Sequence, residues 1–271
     1  MPVDEYSHPT SKLIGILLDF FLFGTLLIQI YIYRACFPKD SWALKLLVYF
    51  VFFVDAICVL LDTLSVIGLS AGDFTSFSSA QYVGYPTLVL GSFSAMLVQL
   101  FYCLRIRAIR QTAWPIAVLI GVIGAIQFAA SLSWVVLRRI GDNVDGKLPT
   151  TLFYFSLVSA TTADICIALT MTVLLLKGSD LPHTRDAVKN IVRLIIETNA
   201  LTSVLALLAL LVFAFPTNSG LDFTCPIALL RGMYPNTLLV VLNNRAVIHL
   251  TSNPSDGLEE EDFRSNLPEV V

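Results

Sequence analysis

Charge is what this sequence lacks. Asp, Glu, Lys and Arg make up 14% of its 271 residues, against about a quarter in a soluble domain. A water-facing surface needs charge to stay dissolved, so the shortage excludes an ordinary soluble fold. Histidine is scarcer still. His8, His183 and His249 are the only three, and each lies outside or at the edge of an apolar segment. Clustered intramembrane histidines that hold a catalytic metal are therefore excluded, and no cofactor is expected. The last apolar segment has no Lys, which removes a retinal Schiff base there. No G-x-S-x-G elbow, Gly-rich phosphate loop or thiol redox pair occurs, so the chain does not read as an enzyme. There is no N-x-S/T glycosylation acceptor, and no nucleic-acid partner is expected. The five cysteines, Cys36, Cys58, Cys103, Cys166 and Cys225, all fall within or at the ends of apolar segments and read as small packing residues.

What is present is oil, at 56% of residues. A helix crosses the hydrocarbon of a bilayer with roughly 20 predominantly apolar residues. Seven windows qualify: Leu13–Cys36, Leu46–Leu69, Gly84–Leu104, Ala113–Leu137, Thr151–Leu176, Ile191–Phe215 and Thr224–Leu250. Their helical length excludes a barrel of alternating strands. The expected fold is all-α, a polytopic seven-transmembrane-helix bundle, with the lipid bilayer as its first partner. The first window is too long for a cleavable signal peptide and reads as a retained helix. Trp114 and Trp134 bracket the fourth, about 30 Å apart along a helix, where interfacial aromatics belong. Residues 1–12 read as a short extracellular or lumenal tail, 13–250 as the transmembrane domain, and 251–271 as an acidic, disordered cytoplasmic tail.

Lys and Arg are retained on the cytoplasmic side of a membrane. The amino-terminal tail and the even-numbered loops carry four: Lys12, Arg138, Arg139 and Lys147. The odd-numbered loops, the flanking helix ends and the carboxyl-terminal tail carry Arg34, Lys39, Lys45, Arg105, Arg107, Arg110, Lys177, Arg185, Lys189, Arg193, Arg245 and Arg264. This bias puts the amino terminus outside or in a lumen and the carboxyl terminus in the cytoplasm.

Five carboxylates fall inside the windows: Asp19, Asp55, Asp62, Asp164 and Glu197. Each costs about 2.5–3.5 kcal/mol near the middle of a span, so they are expected to turn inward and find polar company. Asp19, Asp62 and Arg231 lie six or seven residues from the same end of the first, second and seventh windows. They therefore share a depth of about 10 Å and should meet if the helices close into a ring. This cluster reads either as structural pairing or as a pocket for a cationic or polar ligand. Asp55 lies seven residues from Asp62 on the same helical face. Asp55 and Asp164 sit at mid-membrane, where Asn236 beside Pro235 is placed to bond either; this set is the candidate for proton or ion handling. Arg193 and Glu197, one turn apart, pair on one face of the sixth window. Asn199, Asn243 or Asn244 are expected to share the burial of Glu197. The pair reads as a packing device or as a movable switch.

Seven helices with an outside amino terminus resemble a G-protein-coupled receptor in topology only. QLFYCLRIRAIR, residues 99–110, lacks that family's Asp-Arg-Tyr triplet, and YPNTLLVVLNNR, residues 234–245, carries Pro and Asn in the wrong order. A closer likeness lies in stretches that follow one another along the chain: IGILLDFFLFGTLLIQIYIYRACFPKDSWALKLLVYFVFFVDAI, QLFYCLRIRAI, ADICIALTMTVLLL, VRLIIETNALTSVLAL and YPNTLLVVLNNR. Together, over roughly residues 13 to 246, they resemble a family of seven-helix membrane proteins of mushroom-forming fungi classified as a domain of unknown function. The resemblance implies the fold and the membrane location, and assigns no activity. The most family-like polar residues are Gln29, Gln99, Arg105, Asp164, Arg193, Glu197, Asn236, Asn243 and Arg245.

The leading expectation is a receptor-like or sensory protein of the plasma membrane or an endomembrane. It would take an unknown small ligand and meet a cytoplasmic protein through its basic loops and acidic tail, with Ser255 a candidate phosphorylation site. A small-solute or proton-coupled transporter using the mid-membrane carboxylates is the alternative, and a membrane scaffold without a ligand is the third.

Overall fold

A computed structural model describes residues 9–70, 74–140, 147–178, 185–215 and 224–252, with side chains placed over 13–64, 84–139, 147–174 and 176, 193–215 and 225–245. The expected tail at 251–271 lies outside the described residues except for its first two positions, and Ser255 lies outside them altogether. The described chain is all-helical: α1 (Pro9–Cys36), α2 (Trp42–Ser70), α3 (Phe74–Ile109), α4 (Trp114–Ile140), α5 (Lys147–Gly178), α6 (Arg185–Ala214) and α7 (Thr224–Ser252), with a 3₁₀ turn at Gln111–Ala113. All seven α-helices contain a stretch long and apolar enough to cross a membrane, which makes this a multi-pass membrane protein.

Five of the seven helices begin earlier than their apolar windows, by up to ten residues in α3. Hydropathy reports the part of a helix that lies in lipid, whereas backbone hydrogen bonds continue the helix into the headgroups. Pro9 occupies the first helical position of α1, where a missing N–H costs nothing. Pro38 follows the end of α1, and the chain re-enters helix at once: Leu44 and Lys45 donate their N–H groups to the Ser41 carbonyl. The first connection is thus a five-residue turn.

Each helix packs on the next, and α7 packs on α1, so the bundle closes into a ring. In addition α3 meets α5 and α7, and α2 meets α7, which draws α3 and α7 towards the middle. Composition explains the placement. α7 has the least apolar span of the seven and is the most buried, with 67% of its span inside the protein against 22% for α1. Phe21, Leu46, Leu104 and Phe53 are exposed on the outside, while Asp19, Asp55, Asp62, Gln99, Gln127, Asp164, Arg231 and Asn236 are buried. Lipid tails are as apolar as Leu, so association of such helices is driven by packing and interhelical hydrogen bonds rather than by hiding oil.

Prolines sit inside α3 and α7, each beside a polar side chain that bonds the preceding turn. Thr87 beside Pro86 donates to the Gly84 carbonyl at 2.9 Å. Asn236 beside Pro235 donates to the Gly232 carbonyl at 2.8 Å. Both are local side-chain bonds to the backbone beside a proline, of the kind that accompanies Pro in a membrane helix. Trp114 is exposed, as an interfacial anchor should be, but Trp134 is not its counterpart. It turns into the bundle and packs on Tyr85 and Phe153, at centroid distances of 5.8 and 5.3 Å. The twenty-residue spacing located both residues along the helix and said nothing of their azimuth.

Candidate functional site

Arg231 on α7 reaches across to both α1 and α2. Its Nη2 donates to Asp19 Oδ2 and, at 2.6 Å, to Asp62 Oδ2. All three residues are buried. Two glycines make the room. A Cβ on Gly91 of α3 would stand 2.7 Å from Arg231 Cγ, and one on Gly232 would stand 2.7 Å from Asp19 Oδ1. The aliphatic stem of Arg231 therefore lies against the Gly91 backbone, and the Asp19 carboxylate against that of Gly232. Asp55, one heptad before Asp62, is also buried, and its charged neighbours are Asp19, Arg231 and Asp62. Asp55 Oδ2, Asp19 Oδ1 and Arg231 Nε have no hydrogen-bond partner among the described residues. The group holds three carboxylates against one guanidinium, so it carries an excess of acid that one further proton or cation would reduce.

The mid-membrane set does not assemble as expected. Asp164 on α5 lies with other residues: Tyr234 donates to its Oδ2 at 3.1 Å, Gln99 Nε2 approaches its Oδ1 at 3.5 Å, and the Thr202 hydroxyl is within hydrogen-bonding reach. Gln99 also donates to Gln127 Oε1 at 3.0 Å, which carries the network from α3 into α4. Asn236, expected beside Asp55 or Asp164, faces α1. It donates to the Leu22 carbonyl at 3.1 Å, and Thr25 Oγ1 stands 2.8 Å from its Oδ1. The reason is azimuth, because residues two apart on a helix point to nearly opposite sides. Tyr234 addresses α5, so Asn236 cannot.

Further along α7, Asn243 donates to the Gln29 carbonyl at 2.9 Å. At the end of the bundle carrying the α1–α2 turn, Arg245 Nη2 donates to Asp40 Oδ2 at 2.6 Å, and its guanidinium carbon lies 4.4 Å from the centre of the Phe37 ring. Tyr33 donates to the same Asp40 carboxylate at 3.0 Å.

Arg193 and Glu197 do pair, Nε to Oε1 at 2.6 Å, but on the outside of the bundle, with side chains 78% and 57% exposed. No described hydrogen bond joins Glu197 to Asn199, Asn243 or Asn244. Asn199 instead donates to the Ile195 carbonyl of its own helix, and Asn243 is committed to α1. Glu197 is thus an outward carboxylate with its own cation beside it, and the expectation that every intramembrane acid points to the centre fails here. An arginine one turn away reduces the cost that would otherwise force the turn inward.

The residues that the sequence did not single out are Asp40, Thr25, Tyr102, Gln127, Thr202 and Tyr234. Gln127 was findable as the sole amide in an otherwise apolar fourth window. Asp40 was not, since a loop carboxylate has no signature. Against known proteins, a family model described as a family of unknown function (DUF6534) matches residues 160–247, from the middle of α5 into α7. No curated protein and no solved structure matches. The matched stretch contains Asp164, Thr202, Arg231, Tyr234, Asn236 and Arg245, so the chain is similar to that family over the α7 side of each network.

Proposed function

We propose that this chain is a receptor-like, sensory membrane protein whose input is read at the Arg231 cluster and passed along α7. In this reading it performs no covalent chemistry. The excess of Lys and Arg on one set of connections supports an amino terminus outside or in a lumen and a carboxyl terminus in the cytoplasm. The observation that carries the proposal is the run of polar contacts along α7. Arg231 ties it to α1 and α2, Tyr234 to α5, Asn236 and Asn243 to α1, and Arg245 to the α1–α2 turn. One helix thus has a charged contact near each end of the bundle and hydrogen bonds between. A ligand that changed the pairing of Arg231 would bias the whole helix, and Arg245 stands where a cytoplasmic protein partner would meet it. The excess acid around Arg231 suits a small cationic or polar ligand.

Proton-coupled transport is the second reading, favoured by the unpartnered Asp55 oxygen. Thermal unfolding of purified protein against small cationic and polar ligands separates the two. The sensory reading expects a saturable rise in midpoint that disappears in Asp62→Asn. Solute-driven proton flux into proteoliposomes, abolished by Asp55→Asn, would replace it with transport. Neither a ligand response nor flux would leave a scaffold.

A further inference from the structure

Between α3, α5, α6 and α7 lies a cavity of about 10 Å³, walled by the apolar Val98 and Ile167 and by the polar side chains of Gln99, Tyr102, Asp164, Asn199, Thr202, Tyr234 and Thr237. That is room for one water-sized sphere. Asp164 is 2% exposed, and among the described residues no Lys, Arg or His pairs with it. Arg105, the cation on this part of α3, acts on Tyr102 and Arg245. Asp164 is therefore the one deeply buried acid of the described bundle with neutral partners only.

Counting protons shows what the cavity wants. The Tyr234 hydroxyl donates to Asp164, and the Thr237 hydroxyl to the Tyr234 carbonyl at 2.9 Å. Thr202 has one proton for two acceptors, the Asn199 carbonyl at 3.0 Å and the Asp164 carboxylate. One of the two Asn199 amide protons is used on the Ile195 carbonyl. Gln99 Nε2 is shared between Gln127 and Asp164, and its Oε1 turns away towards Gly124. On the polar part of the wall, what remains is mainly oxygen with lone pairs to give: the hydroxyls of Thr202 and Thr237, the Asn199 side-chain carbonyl and the carboxylate. The Tyr102 hydroxyl, on a side chain 2% exposed, has no partner among the described residues. A proton on Asp164 would remove the charge and leave those acceptors unmet. One water would meet them and leave the charge. A small dehydrated cation does both.

We infer that this cavity is a monovalent-cation site of sodium size, with Asp164 as its charged ligand and Tyr102, Asn199, Thr202 and Thr237 supplying neutral oxygens. One carboxylate balances one positive charge, and a divalent ion would need a larger set of oxygens or its own waters, for which there is no room. The cavity touches α7 between Arg231 and Arg245, so occupancy would stiffen that helix where four helices join. The site stands on its own geometry whether or not the bundle is sensory.

The test is thermal unfolding of the purified full chain in sodium chloride against choline chloride at equal ionic strength and fixed pH, with equilibrium binding of radioactive sodium as a direct readout. The expected result is a saturable, sodium-specific rise in midpoint that Asp164→Asn abolishes. Thr202→Val and Tyr102→Phe should each weaken sodium affinity by about tenfold, the worth of one hydrogen-bonding oxygen. Should Asp164→Asn fail to fold, those two variants and sodium binding to the unaltered chain decide. The inference is overturned by equal midpoints in sodium and choline with no bound sodium, or by a sodium response that survives in Asp164→Asn. Stabilisation that follows falling pH in choline and ignores sodium also overturns it, and assigns Asp164 a proton instead.

Discussion

Arg245, near the end of α7, and Asp40, in the turn between α1 and α2, stand 205 positions apart in sequence and meet through a 2.6 Å ion pair. Their side chains keep 31% and 18% of their surface exposed. Water screens such a pair, so its worth is at the upper end of the range for exposed bridges rather than beyond it. A double-mutant cycle with Arg245→Met and Asp40→Asn, read as unfolding midpoints in detergent, should return a coupling of about 1 kcal/mol. Arg245→Met alone should cost more than that coupling, because it also strips the cation from the face of Phe37.

The buried cluster follows different arithmetic. Arg231→Met leaves Asp19, Asp55 and Asp62 with no cation, and removing one partner of a buried pair costs about 3–5 kcal/mol. The same arginine removed together with both of its ligands, as Asp19→Asn, Asp62→Asn and Arg231→Met, should recover most of that loss, since no uncompensated charge is left behind. Unfolding of the single and triple variants in one detergent checks this. A triple variant as unstable as the single one would mean that the cluster contributes shape rather than charge balance.

How much of this was legible beforehand divides along one geometric line. Length and hydropathy locate a residue along a helix axis, so the seven helices and the common depth of Asp19, Asp62 and Arg231 could be read from spacing alone. Azimuth comes from packing, which spacing does not contain. Spacing therefore gives the depth of Asn236 but not the side it faces, and it locates Trp134 along α4 without showing that it belongs to the aromatic core. A rule about isolated acids turns Glu197 inward, whereas Arg193 one turn away meets its need on the outside. Asp40 was invisible for a further reason: its partner Arg245 lies near the other end of the chain, and a short polar turn has no period to betray it.

Glycine offers a contrast within one protein. Gly91→Ala would place a methyl 2.7 Å from Arg231 Cγ and 2.9 Å from its Cδ, and the arginine is held at its far end by two carboxylates. It has little freedom to yield, so the expected cost is about 1–3 kcal/mol, the range for overpacking. Gly24→Ala meets nothing within 4 Å and should be neutral or stabilising by about 0.5–1 kcal/mol through helix propensity. Both are read from unfolding midpoints, and equal effects at the two positions would refute the close approach at Gly91.

The outward pair on α6 should scarcely register in stability. Glu197→Gln removes a carboxylate that is 57% exposed and touches the bundle through no hydrogen bond among the described residues. The expected unfolding midpoint is unchanged. A large loss would show that the pair is covered in the membrane, by a second protein or by a second copy of this chain, and crosslinking at Glu197→Cys would then identify which.

Asp55 gives the sharpest test of whether the inner charges are there for stability at all. It is 3% exposed, has an oxygen without a partner and stands among Asp19, Asp62 and Arg231, where one cation already serves two acids. If ionised, it adds a third negative charge to a group that can balance one. If protonated, it keeps a buried hydroxyl in place of an amide of almost the same shape. Asp55→Asn removes a charge liability in the first state and exchanges a hydroxyl for an amide in the second, opening a cavity in neither, so the variant should be as stable as the natural chain or more stable by about 1 kcal/mol. A natural chain that gains stability on losing this carboxylate would be keeping it for a task other than folding, and the same variant should then lose the ligand response or the proton flux by which the two functional readings are told apart. If Asp55→Asn instead unfolds the protein, the carboxylate has a structural partner outside the described residues, and the excess of acid around Arg231 no longer supports either reading.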